Sequence, residues 1–231
     1  RRMTIPGSGS GTGNVGISVT DPDNVLEVAG TAYAWNGTNS NTVFGYNAGL
    51  NCHASGDNNT FIGYQAGDAS GHNANTDSNT GVGSEALGIL TTGNLNTCIG
   101  KDSGASITDT TENTAVGVGT LQNAASGGPS TAVAVGYHAL NDSYGAGNVA
   151  VGKYAGREVS TGTYNVCLGY LAGDALTTGS YNILIGNQPA AGAVDQTYGI
   201  AIGHEASCAV NSIAIGKSVV APTQEIRMGD S

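Results

Sequence analysis

The sequence predicts an all-β fold in which short coils of chain stack into a solenoid. Three observations carry that reading. A five-residue unit ending in Gly recurs eleven times between Asn41 and Gly216. Gly supplies 38 of the 231 residues, more than twice the usual share of about 7%. Only two Phe and one Trp are present, so a core of large aromatic side chains is not available. Collagen would need Gly at every third position with abundant Pro, and disordered Gly-rich chain would not space Val and Ile at regular intervals.

The units run Asn41-Thr42-Val43-Phe44-Gly45, Asn59-Thr60-Phe61-Ile62-Gly63 and Asn79-Thr80-Gly81-Val82-Gly83. Asn96-Thr97-Cys98-Ile99-Gly100 and Asn113-Thr114-Ala115-Val116-Gly117 follow, then units ending at Gly136, Gly152, Gly169, Gly186, Gly203 and Gly216. Asn opens eight of the eleven, and Val, Ile, Leu or Phe always precedes the Gly. Successive final glycines lie 18, 20, 17, 17, 19, 16, 17, 17, 17 and 13 residues apart, which makes each unit one coil of a stack.

Within a coil, Thr-x-Val reads as a short strand and the Gly as a tight turn. An Ala three residues later, as at Ala48, Ala66, Ala139 and Ala172, marks a second short segment. Loops of Ser, Thr, Asn, Asp and Gly return the chain, and insertions such as Gly71-His72-Asn73-Ala74-Asn75 fall inside them. About four residues of strand bury too little alone, but stacked copies share backbone hydrogen bonds and align their side chains.

Strand alternation puts the residues three and one before each Gly on the same side. Thr97 with Ile99, Val149 with Val151, and Ile183 with Ile185 then form one stripe. Ala115, Ala134, Ala150, Ala201 and Ala214 line the opposite, tightly packed side. The recurring Asn suits either a side-chain ladder between coils or a local turn bond to its own backbone. A stripe left apolar on both faces of a thin stack calls for a partner, and cyclic association covers it equally on every chain. Geometry alone permits two chains or three.

Seven Lys and Arg against seventeen Asp and Glu give a formal charge of -10. No basic cluster follows a phosphate backbone, which argues against nucleic acid as a partner. The acidic surface helps keep a fibre soluble and favours basic or cation-bridged partners. No apolar run is long enough to insert in a membrane. The first residues lack the apolar core of a secretion signal. A start at Arg1-Arg2-Met3 is compatible with a segment excised from a longer protein, so that absence says little about a parent chain.

Of the four cysteines, Cys98 and Cys167 hold the same repeat position. Four coil rises of about 4.8 Å separate them by roughly 19 Å, too far for a disulfide, so they read as small buried thiols. Cys52 and Cys208 are placed in turns at opposite ends of the stack. Tyr46, Tyr64, Tyr137 and Tyr170 directly follow repeat glycines and form a candidate surface-binding band, because Tyr offers an apolar face with a hydroxyl. Packing between coils or between subunits is the commoner role for any one of them.

The Asn-Ser-x-Ala-Ile-Gly pattern, nearest in Asn211-Ser212-Ile213-Ala214-Ile215-Gly216, resembles the left-handed parallel β-roll of trimeric YadA-like adhesin heads. The Asn-Thr-Ala-Val-Gly form resembles repeats in phage tail fibres and in fibres of predatory bacteria, which often end in a self-cleaving chaperone of the endosialidase type. The resemblance runs from about Asn14 to Gly229 and includes a lead-in at Gly13-Asn14-Val15-Gly16-Ile17, Asp21-Pro22 and Val25-Leu26-Glu27-Val28. It implies a left-handed parallel β-roll solenoid, packed as a homotrimeric fibre at a cell surface or in a virion tail fibre. The expected layout is a lead-in or connector over 1–40, the repetitive β-roll over 41–219, and over 220–231 the start of a distal module at Glu225-Ile226-Arg227-Met228-Gly229. The sequence stops before any chaperone domain, so self-cleavage is not assigned to it.

No chemistry competes with this reading. His53, His72, His138 and His204 are isolated from any compact metal-ligand pattern. Asp68, Asp102 and Asp174 recur after repeat glycines, but acid/base work on a glycoside needs two carboxylates at a defined separation. The alternating Gly7 to Gly13 stretch lacks the Lys-Ser/Thr of a phosphate loop and reads as a connector. A calcium nonapeptide repeat and a serine nucleophile elbow are likewise missing. The expectation is therefore no catalytic, cofactor-binding or metal-binding residue. A β-helical acyltransferase is the enzymatic alternative, although its coils should hold near eighteen residues. An ice- or mineral-binding face is another, although it should keep an outward Thr array that here gives way to Val and Ile. The leading expectation is a structural and adhesive segment whose partner is a surface glycan or outer-membrane protein of a host or prey cell.

Overall fold

The computed structural model describes residues 15–17, 26–28, 41–50, 56–68, 76–124, 127–128 and 130–229. All the regular elements among them are β-strands, each two or three residues long. β1 (Val15–Ile17) and β2 (Leu26–Val28) pair in parallel. Both strands lie within the stretches read from sequence as the lead-in. The proposed turn at Asp21-Pro22 and the Gly7 to Gly13 connector lie outside the described residues.

The repeat then contributes one strand per coil. These are β3 (Thr42–Phe44), β4 (Thr60–Ile62), β5 (Thr80–Val82), β6 (Thr97–Ile99), β7 (Thr114–Val116), β8 (Val133–Val135), β9 (Val149–Val151), β10 (Val166–Leu168) and β11 (Ile183–Ile185). Beyond them the chain alternates between two sheets. β12 (Ala190–Ala191), β14 (Ser207–Cys208) and β16 (Val220–Ala221) make a second, three-stranded sheet, while β13 (Ile200–Ile202), β15 (Ile213–Ile215) and β17 (Ile226–Met228) continue the first. The main sheet has twelve strands, all parallel. The protein is an all-β parallel solenoid.

Register is fixed residue for residue: Val149 pairs with Val166, Val166 with Ile183, and Ile183 with Ile200. Ile226–Met228, read from sequence as the opening of a distal module, is hydrogen-bonded as the sheet's last strand. The second segment around the later Ala is a run of turns in the earlier coils and becomes a true strand only in the last three, from Ala190 onward. Cys208, placed in a turn by sequence, is buried in β14 of that second sheet.

The repeat glycine has two physical causes. From Gly45 to Gly216 its φ lies between 125° and 139°, a region closed to L side chains. A Cβ on Gly152 would also stand 2.4 Å from the carbonyl oxygen of Gly169 in the next coil. The glycines therefore stack backbone on backbone.

Three rows of side chains fill the coil. The middle strand residue points inward, and Cys98, Ala115, Ala134, Ala150, Cys167, Ala201 and Ala214 are all buried there. The Ala three past the glycine faces it. A third row, seven past the glycine, supplies Leu90, Ile107, Val159 and Leu176, each completely buried. Where the middle residue is large, glycine makes room: a Cβ on Gly67 would lie within 2.6 Å of the Phe61 ring, and one on Gly173 within 2.9 Å of Leu184.

The repeat asparagines form the ladder. Asn79, Asn96 and Asn113 each donate both backbone N–H and side-chain Nδ2 to the Oδ1 of the Asn one coil earlier, at 2.9–3.1 Å. Nδ2 of Asn79 and Asn96 also donates to a loop carbonyl, of Gly93 and Thr110 respectively. Asn165 and Asn182 repeat the pattern, while Asn148, which follows Ala132 in the row, donates to the nearby Gly145 carbonyl and to Gly162 of the next coil. The amides of Asn79, Asn96, Asn165 and Asn182 each join three coils in a buried site, which a local turn bond would not do.

Candidate interaction surface

With the middle residue of every strand turned inward, its two neighbours point out. The outward face of the main sheet is therefore two side chains wide along its whole length. At the N-terminal end it alternates Thr with larger apolar residues, as in Thr60/Ile62 and Thr97/Ile99; from β8 onward both columns are aliphatic, as in Val149/Val151 and Ile183/Ile185. None of these side chains is buried, and Phe44 at one end and Met228 at the other are 59% and 73% exposed. Soluble monomers rarely leave so long an apolar patch in water.

Rows of tyrosine border this face. The predicted Tyr46, Tyr64, Tyr137 and Tyr170, one residue past the glycine, are all exposed. Tyr46 and Tyr64 stack with centroids 5.7 Å apart and planes within 9°. Tyr137 instead meets His138 and Tyr154 edge-on, while Tyr170 belongs to a coil further on. The four share one row without forming one site.

A second row escaped the sequence reading. Tyr164, Tyr181 and Tyr198 each precede the first residue of a repeat unit, and they stack at 5.3 and 5.2 Å with planes 15° and 7° apart. They are 54%, 48% and 56% exposed and hold φ of 55–61°. Left-handed backbone costs a non-Gly residue about 1–2 kcal/mol, which stacking at about 0.5–1.5 kcal/mol per pair offsets in part. The available signal was their shared offset, Tyr-Asn, Tyr-Asn and Tyr-Gly, at intervals of 17 residues.

Protein families, curated proteins and solved structures provide no match to this chain.

The charged and titratable groups are mostly engaged locally. Lys153 Nζ lies 5.0 Å from the Tyr154 centroid and 5.7 Å from that of Tyr137. His138 accepts or donates at Nδ1 against Asn141 Nδ2, 2.9 Å away, and His204 is exposed beside Glu205. His53 and His72 lie outside the described residues, as does Cys52. Asp68 is bonded by Gln65 and Asp102 by Lys101. Asp174 takes a hydrogen bond from Arg157 Nη2 at 3.2 Å, and its Oδ1 sits 3.0 Å from Nε in an ionic contact too oblique for a hydrogen bond. Burial lifts the Asp174 carboxyl above its usual range, opposed by Arg157. The three aspartates therefore sit in separate coils with separate partners.

A cleft of about 190 Å³ beside Asp174, lined by Leu171, Gln188 and Pro189, falls short of the roughly 300–1,000 Å³ of a small-molecule site. Among the described residues no three His, Cys, Asp or Glu are grouped to hold a metal ion. Burial pushes the thiols of Cys98 and Cys167 up to about 12, so neither is a ready nucleophile. Among the described residues no helix is long and apolar enough to cross a membrane.

Proposed function

We propose that this chain is a structural and adhesive segment of a homotrimeric fibre, at a cell surface or in a virion tail, that contributes to attachment to a host or prey cell envelope. The observation that carries the proposal is the uncovered apolar face of a twelve-stranded parallel sheet. Stacked coils supply length and stiffness, and covering that face supplies the reason for sister chains. The choice of three chains and of a left-handed coil rests on the likeness of the Asn-Ser-x-Ala-Ile-Gly unit to adhesin heads. Attachment to a surface glycan or outer-membrane protein rests on that likeness.

Mass in solution combined with small-angle scattering tests the assembly. The expected particle is an elongated trimer whose stack is on the order of 50 Å long, from twelve strands at about 4.8 Å. A compact monomer refutes it. A glycan array with whole-cell binding then tests adhesion, and failure to bind leaves the segment as a shaft.

A further inference from the structure

The sheet face alone is too small for the interface it is asked to make. Twelve strands at about 4.8 Å and three residues at about 3.3 Å give roughly 50 by 10 Å, on the order of 500 Å². A stable interface buries about 800 Å² per partner, and a three-fold arrangement divides the face between two neighbours. The missing area has to come from the margins.

Those margins are two rows. One lies a residue past the glycine and includes Tyr46, Tyr64, Val118, Tyr137 and Tyr170; the other lies a residue before the Asn position and includes Leu95, Tyr164, Tyr181 and Tyr198. All nine of these large side chains are more than two-fifths exposed. Their charges do not oppose each other. The first row holds Lys101, Lys153 and Lys217, three of the chain's seven Lys and Arg, and among the described residues it holds no carboxylate. The second holds a single charge, on Glu112. Lys101 is already paired with Asp102 and Lys153 lies over Tyr137 and Tyr154, and a facing row that carries no cation brings no repulsion to them.

Resting on the fibre reading, we infer that the two rows are opposite halves of one subunit contact, the post-glycine row of each chain packing against the pre-asparagine row of the next. Rotation about an axis parallel to the stack brings opposite margins together at the same height, whereas an antiparallel pair would bring like margins together. The coil of β10 then sets Tyr164 of one chain beside Tyr170 of its neighbour, and the coil of β6 sets Leu95 beside Lys101. The tyrosines that flank the sheet are assembly residues, and ligands contact other parts of the coil.

The test is site-directed cross-linking of the whole chain in a Cys52→Ser background, with Tyr164→Cys and Tyr170→Cys together and a short bis-maleimide. Cys98, Cys167 and Cys208 are buried and do not compete. The double variant should run as a covalent trimer in denaturing gels, and each single variant as a monomer. Leu95→Cys with Lys101→Cys should behave alike, which keeps the test open if the first pair disturbs folding. A chain that is trimeric by mass but stays uncross-linked at both pairs overturns the row pairing and leaves the fibre reading standing. A chain monomeric by mass overturns the fibre reading itself. Cross-linking that stops at two chains supports the pairing and overturns three-fold symmetry.

Discussion

Replacing Asn165 by Ala tests whether the ladder holds the coils together. Asn165 is 1% exposed. Its Oδ1 accepts from the backbone N–H and Nδ2 of Asn182 at 3.0 and 2.9 Å, and its Nδ2 donates to Asn148 Oδ1 at 3.1 Å and to the Gly179 carbonyl at 2.8 Å. Truncation removes all four bonds, but the damage is unequal. Asn148 Oδ1 keeps the Asn165 backbone N–H, and Asn182 Nδ2 keeps the Gln196 carbonyl. The Asn182 N–H and the Gly179 carbonyl lose their ladder partner. A buried group left unsatisfied costs about 1–3 kcal/mol, so two cost on the order of 4 kcal/mol. Contacts in a solenoid reach only adjacent coils, and the loss should be local. Hydrogen exchange should show faster exchange of the Asn182 amide and its neighbours in the β10 and β11 coils, with the β4 and β5 coils unchanged. A local loss below about 1 kcal/mol would refute the argument. Asn165→Asp sharpens it: a carboxylate there faces two acceptors, which raises its folded pKa. That variant should therefore be more stable in acid and lose stability as pH rises through the raised value.

Three further outcomes follow from the same geometry. Gly152→Ala should cost more than about 3 kcal/mol, since it adds backbone strain to a 2.4 Å clash with a neighbouring backbone; Gly127→Ala, whose Cβ would meet nothing within 4 Å but whose φ is 75°, should cost only about 1–2 kcal/mol, the strain of left-handed backbone, by thermal unfolding. Cys98 and Cys167 should resist thiol reagents near neutral pH. Their folded pKa near 12 exceeds the ordinary 9.0, so their contribution is intact below pH 9 and falls by about 1.4 kcal/mol per thiol per pH unit between 9 and 12, as pH-dependent unfolding of the Cys→Ala variants would show by losing that slope. Ile183→Asp with Ile185→Asp should abolish association by light scattering while far-ultraviolet dichroism stays native, because both side chains point away from the coil core.

The strand positions were legible because three constraints coincide at most units: a buried Asn amide, an inward small residue, and a glycine that no other residue can replace. Gly81, Cys98 and Ala115 look unrelated in sequence, yet they share one inward site whose limit is volume. The row of Leu90, Ile107, Val159 and Leu176 was harder to see. It lies in a segment without alternation, and only its fixed offset of seven from the glycine betrays it. Tyr164, Tyr181 and Tyr198 were missed for a related reason: they occupy left-handed positions, where Asn or Gly is the ordinary choice, and a scan for strands passes over them. Ser, Leu and Thr at equivalent places, as in Ser78, Leu95 and Thr131, show that the backbone there is imposed by the stack rather than chosen locally.

That imposition bears on function. Each coil between Asn79 and Gly186 accepts at least two non-glycine residues in left-handed backbone, a cost no isolated coil would bear, so the strained corners exist only while neighbouring coils hold them. The exposed rows at those corners are consequently as rigid as the sheet between them. A rigid, regularly spaced margin suits a contact repeated coil after coil along a sister chain, since every pair meets at the same height without further ordering. A loop that adapts to a soluble ligand needs the opposite. Variation in length is confined to the return loops, where the spacing of the repeat glycines changes by up to four residues between Gly63 and Gly152 while strand register does not change at all. On the proposed reading, assembly belongs to the sheet face and its margins, and recognition to the return loops. An insertion at Gly71-His72-Asn73-Ala74-Asn75, where the sequence already adds residues to its coil, should accordingly leave the oligomeric mass unchanged, whereas polar substitution on the sheet face should not.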